Sequence, residues 1–170
     1  MIDKCSFSQK GINIWHIIAG TLCLLFGALI YFSDRPQDQI YFITKFHLHQ
    51  SFISDIPRIF GAFGGCLPSF FHVMAFSFIT AGIIASTKRG YLLVCSFWLL
   101  IDLAFEVGQY FRGMNSFVPD WFVGMPFIEN TKNFFLYGTF DVLDIAGIAI
   151  GTLIVYFALI VTNMRKRSGR

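Results

Sequence analysis

Six polar side chains stand inside or at the ends of long apolar stretches: His72, Asp102, Glu106, Gln109, Asp141 and Asp144. A carboxylate in hydrocarbon costs about 2.5 kcal/mol or more on insertion scales, so it persists where it faces a bundle interior or a wet cavity. Asp102, Glu106 and Gln109 follow at i, i+4 and i+7, which at about 100° per residue sets them on one helix face. Asp141, Asp144 and Gly151, at i, i+3 and i+10, share another. Carboxylates beside an amide and an imidazole can hydrogen-bond sugar hydroxyls or hold a divalent cation that bridges to a phosphate. They can also do acid–base chemistry, with Glu106 or Asp144 as general base and His72 as acid or proton carrier.

Those residues need a scaffold that crosses a membrane. Hydrophobic residues are 55% of the chain and charged ones 14%, against about 25% charged in soluble domains. A bilayer core of about 30 Å takes about 20 helical residues, so 170 residues hold four spans and their loops in a single domain. Hydropathy sets the spans near residues 12–32, 69–86, 91–110 and 140–162. The first runs too long for a signal-peptide core and lacks a small-residue cleavage site, so it is expected to stay uncleaved. Thr87-Lys88-Arg89-Gly90 is a tight basic turn that makes the second and third spans an antiparallel hairpin.

The other two connections, 33–68 and 111–139, are long and carry apolar aromatic pieces. Tyr41-Phe42-Ile43, Phe52-Ile53, Trp121-Phe122-Val123 and Phe134-Phe135-Leu136-Tyr137 are separated by Pro57, Pro68, Pro119 and Pro126. Pieces this short lie at headgroup level or dip back into a bundle. The expected fold is an all-α membrane protein, a four-transmembrane-helix bundle with short interfacial or re-entrant helices in two long outer loops.

Lys and Arg density sets the orientation. Lys4, Lys10, Lys88, Arg89, Arg165, Lys166, Arg167 and Arg170 all fall on one side of a four-span chain. Both termini are thus expected in the cytoplasm of a bacterial cell membrane, with the long loops outside. His72, Glu106, Gln109, Asp141 and Asp144 then meet at one depth near the outer leaflet. Asp102 lies roughly 10 Å below Gln109, and is expected either to pair with a hydroxyl such as Ser77 or Thr80 or to hold a proton. Asp141 and Asp144 also suit a helix cap and dipole. Gly147-Ile148-Ala149-Ile150-Gly151 is a GxxxG that lets two backbones approach, within the chain or in a membrane partner. His16 reads as a packing residue, and His47 and His49 as surface positions.

Several classes are excluded by what the chain lacks. A net charge of +3 is too small for a polyanionic partner, so nucleic-acid binding is not expected. Cys5, Cys23, Cys66 and Cys95 are scattered, with no CxxC and no histidines at ligand spacing; neither a metal nor a cofactor is expected. No GxSxG and no HExxH is present, which weighs against the common hydrolase mechanisms.

Glu106-Val107-Gly108-Gln109-Tyr110-Phe111-Arg112-Gly113, followed by Asp141-Val142-Leu143-Asp144 and then Gly151, resembles the ExxQ and DxxD…G signature of VanZ-like membrane proteins. His72 in Leu67-Pro68-Ser69-Phe70-Phe71-His72 is similar to the histidine that opens the preceding helix in that family. The chain departs from the pattern in the long insertion 114–137 and in Ile148, where a polar residue, often Asn, is common. The family's named member is associated with resistance to glycopeptide antibiotics of the teicoplanin type. The resemblance implies a role in the cell envelope and names no reaction.

The leading expectation is a membrane protein acting at the outer leaflet on a lipid headgroup or a lipid-linked envelope precursor. Glu106, Asp144 and His72 are its candidate catalytic residues, and Gln109, Asp141 and Arg112 its candidate binding residues. One rival is an enzyme using the same three groups on a glycan or lipid-linked substrate. Another is a structural or assembly subunit whose acids tie the bundle together.

Overall fold

A computed structural model describes residues 12–34, 60–85, 87–125, 128–129 and 131–168. The described residues contain no strand. Their main elements are α1 (Ile14–Asp34), α2 (Leu67–Ile84), α3 (Lys88–Tyr110), a short α4 (Thr131–Tyr137) and α5 (Val142–Ser168). Helices α1, α2, α3 and α5 are each long and apolar enough to cross a membrane.

Local chemistry explains where these helices begin. Pro68 opens α2 rather than ending anything, because in the first turn its missing N–H belongs to a group that has no intrahelical partner anyway. Thr87 caps α3 by accepting the Gly90 N–H at 3.1 Å, so Lys88, Arg89 and Gly90 belong to the helix rather than to a turn. Asp141 caps α5 by accepting the Leu143 N–H at 2.9 Å, and the helix starts at Val142. Between α3 and α4 the chain makes two 3₁₀ segments, Arg112–Phe117 and Asp120–Gly124, the second preceded by Pro119. The apolar pieces Tyr41-Phe42-Ile43 and Phe52-Ile53, and His47 and His49, lie outside the described residues.

Helix α2 is the centre of the bundle, packing against α1, α3 and α5, while α5 also lies on α3. Val73 and Ala81 of α2 share one fully buried cluster with Val155 and Leu159 of α5, and Ala75, equally buried, lies on the side of α1. Small residues permit this closeness, as expected where lipid supplies no hydrophobic drive between helices. A Cβ on Gly20 of α1 would sit 2.6 Å from the Ala75 carbonyl oxygen, and one on Gly151 of α5 would sit 2.8 Å from that of Phe70. The opposite faces carry large exposed apolar side chains, among them Trp15, Leu25 and Leu29 on α1, Leu93 and Leu100 on α3, and Leu153 and Phe157 on α5.

The start of α1 and the ends of α2 and α5 share one level. The Asn13 N–H donates to the Gly82 carbonyl at 2.8 Å, and His16 Nε2 lies 3.0 Å from Thr162 Oγ1. His16 is buried with its ring near Phe78 and Tyr91, a packing position as its sequence context suggests. The end of α3 and the start of α5 meet at the opposite level, where the acids gather.

Candidate functional site

Glu106 is one turn from the end of α3 and only 5% exposed. Its Oε2 accepts the Gln109 Nε2–H at 3.0 Å, and its Oε1 accepts the backbone N–H of Asp141 at 2.8 Å. Both oxygens are thus occupied by donors within the chain. The i, i+3 spacing of Glu106 and Gln109 makes the first bond local. The second joins two helices and ties the start of α5 to α3.

Asp141 stands at the helix boundary, its carboxylate turned to the Leu143 N–H. Asp144 lies in the first turn of α5, partly buried, and its backbone N–H donates to the Asp141 carbonyl at 3.1 Å. The Asp144 and Asp141 carboxylates are close enough to act electrostatically on both Glu106 and Cys66. Cys66, just before α2, is buried; burial, with the two carboxylates beside it, pushes its thiol above the ordinary range. The two aspartates at the start of α5 thus stand beside both the end of α3 and the start of α2.

Two glycines let neighbouring segments close over this cluster. A Cβ on Gly138 would lie 2.4 Å from Gln109 Oε1, and one on Gly108 would lie 2.5 Å from the Phe135 ring. Phe135 is itself buried and stacks on Phe105 with ring centroids 5.5 Å apart. Helix α4 and the link to α5 therefore form a wall beside Glu106 and Gln109.

His72 has a different partner. Its Nδ1 lies 3.1 and 3.2 Å from the two oxygens of Asp102. The imidazole is 46% exposed and the carboxylate 9%. Of the two expectations for Asp102, a hydroxyl partner such as Ser77 or Thr80 or a held proton, the first gives way to His72; Thr80 instead accepts the Trp98 indole N–H at 3.0 Å. The register of the α2–α3 hairpin is the cause. Counting equal numbers of residues outward from Ser86 brings position 72 opposite position 100, and the packed register of the two helices carries it on to Asp102. His72 accordingly sits at the depth of Asp102, a turn deeper than Glu106, about 6 Å at 1.5 Å per residue.

The expected single cluster resolves into two groups: Glu106 with Gln109, Asp141 and Asp144, and His72 with Asp102. Arg112 opens the 3₁₀ segment that follows α3, but its side chain lies outside the described residues. Among the described residues no group of three or more His, Cys, Asp or Glu side chains is arranged to hold a metal ion. Sequence reasoning passed over Gly108 and Gly138, whose role exists only once Phe135 and Gln109 lie against them. No family model, no curated protein and no solved structure matches the chain.

Proposed function

We propose that this chain is a VanZ-like four-span protein of the bacterial cytoplasmic membrane, with both termini in the cytoplasm, that acts at the outer leaflet on a lipid headgroup or a lipid-linked envelope precursor. The observation that carries this reading is the gathering of Glu106, Gln109, Asp141 and Asp144 where α3 ends and α5 begins. Acids at membrane depth are costly, and one capping interaction does not require four polar residues. Helix α4 and the 3₁₀ segments would lie at headgroup level as a roof over the site, their exposed Phe117, Trp121 and Phe134 suiting an interfacial position. Asp144, in the first turn of α5 and close enough to act electrostatically on Glu106, supplies a second carboxylate to the site.

The test is retention of a co-purified lipid or precursor, read by native mass spectrometry of the protein in detergent. Asp144→Asn keeps shape and removes charge. The expected result is a folded protein that has lost the bound molecule; full retention would remove Asp144 from the site.

The interhelical bond from Asp141 N–H to Glu106 favours a second reading, a structural or assembly subunit in which Glu106 latches α5 to α3. On that reading Glu106→Gln and Asp144→Asn change thermal stability and the retained molecule stays.

A further inference from the structure

The charges of this chain are divided between the two ends of the bundle. No acid stands between residues 56 and 101 or after Asp144, and the one acid before Asp34 is Asp3. The end that holds Asn13, Gly82 and Thr162 is basic. Lys88 and Arg89 lie in the first turn of α3, and Arg165, Lys166 and Arg167 in the last turn of α5, past the apolar stretch that closes at Met164. The bond from the Asn13 N–H to the Gly82 carbonyl and the approach of His16 to Thr162 set the common level. Arg165 is three residues beyond Thr162, about 4.5 Å at 1.5 Å per residue, and Thr87, the cap of α3, follows Gly82 by five residues. Two helices thus bring five basic residues to one end.

Helix stability does not account for all of them. Cations suit the C-terminal end of α5, but in the first turn of α3 they oppose the helix dipole, and that turn has no acid to offset them. Lys88 and Arg89 are exposed and make no ion pair among the described residues. The surroundings name the medium. Trp15, 75% exposed, stands at the start of α1 at this level, and a Trp ring suits the membrane–water boundary. Ile83, Ile84 and Met164 are exposed just inside the basic residues. A lipid whose chains lie against these apolar side chains has its headgroup at the level of the cations. A zwitterionic headgroup brings its own positive charge there, whereas an anionic one brings a phosphate that Arg and Lys can hold without competition.

We infer that this basic end binds anionic phospholipid, its phosphate held by Lys88 and Arg89 of α3 together with Arg165, Lys166 and Arg167 of α5. The inference rests on the membrane reading of the four long helices. It needs neither the orientation nor the Glu106 cluster, which lies at the opposite end.

Purified protein in a neutral detergent is titrated with phosphatidylglycerol, and separately with phosphatidylcholine of the same chains, and bound lipids are counted by native mass spectrometry. Detergent erases membrane orientation, so the readout is independent of topology. The parent should retain phosphatidylglycerol about tenfold or more better than phosphatidylcholine, and in a parallel vesicle-binding series the preference should shrink between about 0.05 and about 0.5 M salt. The double variant Lys88→Gln/Arg89→Gln and the triple variant Arg165→Gln/Lys166→Gln/Arg167→Gln should each lower phosphatidylglycerol retention, by about fivefold for each basic residue removed. Both should retain phosphatidylcholine as the parent does, which shows that they are folded. Lys88→Arg/Arg89→Lys keeps the charge and should keep the preference. Arg35→Gln/Lys132→Gln takes two charges from the opposite end and should change neither lipid. Equal retention of the two lipids by the parent, a preference indifferent to salt, or full preference in both basic variants overturns the inference. So does an equal loss in Arg35→Gln/Lys132→Gln, which reduces the effect to net charge, or displacement of the lipid by glycerol phosphate at equal concentration, which makes the occupant a free phosphate. Loss in Asp144→Asn with full preference in both basic variants moves the lipid to the Glu106 cluster, which overturns this inference while supporting the function proposed above.

Discussion

Truncating Glu106 tests the joint on which the whole outer end depends. The alanine variant loses bonds of 2.8 and 3.0 Å from a side chain only 5% exposed. Hydrogen bonds to charged groups contribute about 1.5–3 kcal/mol each, but two bonds that share a carboxylate are not additive. The variant also leaves the Asp141 N–H, one of the donors a helix start cannot satisfy internally, without its acceptor. Together these give a loss of about 2–5 kcal/mol, a large share of the stability of an ordinary domain. Glu106→Gln keeps an oxygen for the Asp141 N–H, and a flip of the Gln109 amide can relieve the donor facing donor, so its cost should be about 1 kcal/mol. Thermal unfolding in detergent ranks the three proteins, and amide hydrogen exchange supplies the local readout: residues 141–145 should exchange faster in the alanine variant than in the glutamine variant. An alanine variant that unfolds with the parent and protects those amides equally would show that α5 is held by packing alone.

Three further outcomes follow from single contacts. Gly151→Ala should destabilise by about 1–3 kcal/mol from overpacking, despite the helix propensity it gains, because its Cβ meets the Phe70 carbonyl at 2.8 Å. Gly151→Leu should cost more, and equal thermostability of either with the parent would mean a looser α2–α5 contact. Cys66 should alkylate more slowly at pH 8 than an ordinary thiol, since burial and the Asp144 and Asp141 carboxylates push it up and leave less thiolate. Asp144→Asn removes one of those charges and should speed the reaction by less than about tenfold, the equivalent of one pKa unit; no change would place Asp144 away from Cys66. Cysteines introduced at Arg35 and Lys132 should react with an impermeant reagent added outside intact cells, and labelling only from the cytoplasmic side reverses the orientation.

The sequence by itself determined the four long helices and which of their faces carry the acids. Both follow from local quantities: hydropathy over about 20 residues, and a period of 3.6 that groups Asp102, Glu106 and Gln109 on one side. The helix starts shifted by two or three residues, because caps such as Thr87 and Asp141 set them and a hydropathy window does not see caps. Partners were a different matter. The period fixes the direction in which Asp102 points along α3, but only the register of α3 against α2 decides that it meets His72 rather than a hydroxyl. Glu106 bonds a backbone N–H, a donor that every residue but proline carries, so no side-chain pattern could name Asp141 as its partner. The groove that Leu24, Ala28 and Tyr31 of α1 form with Pro68 and His72 of α2 belongs to both helices jointly and exists in neither sequence segment alone. Tertiary structure decided these three features, since each is a relation between helices and a helical period describes one helix at a time.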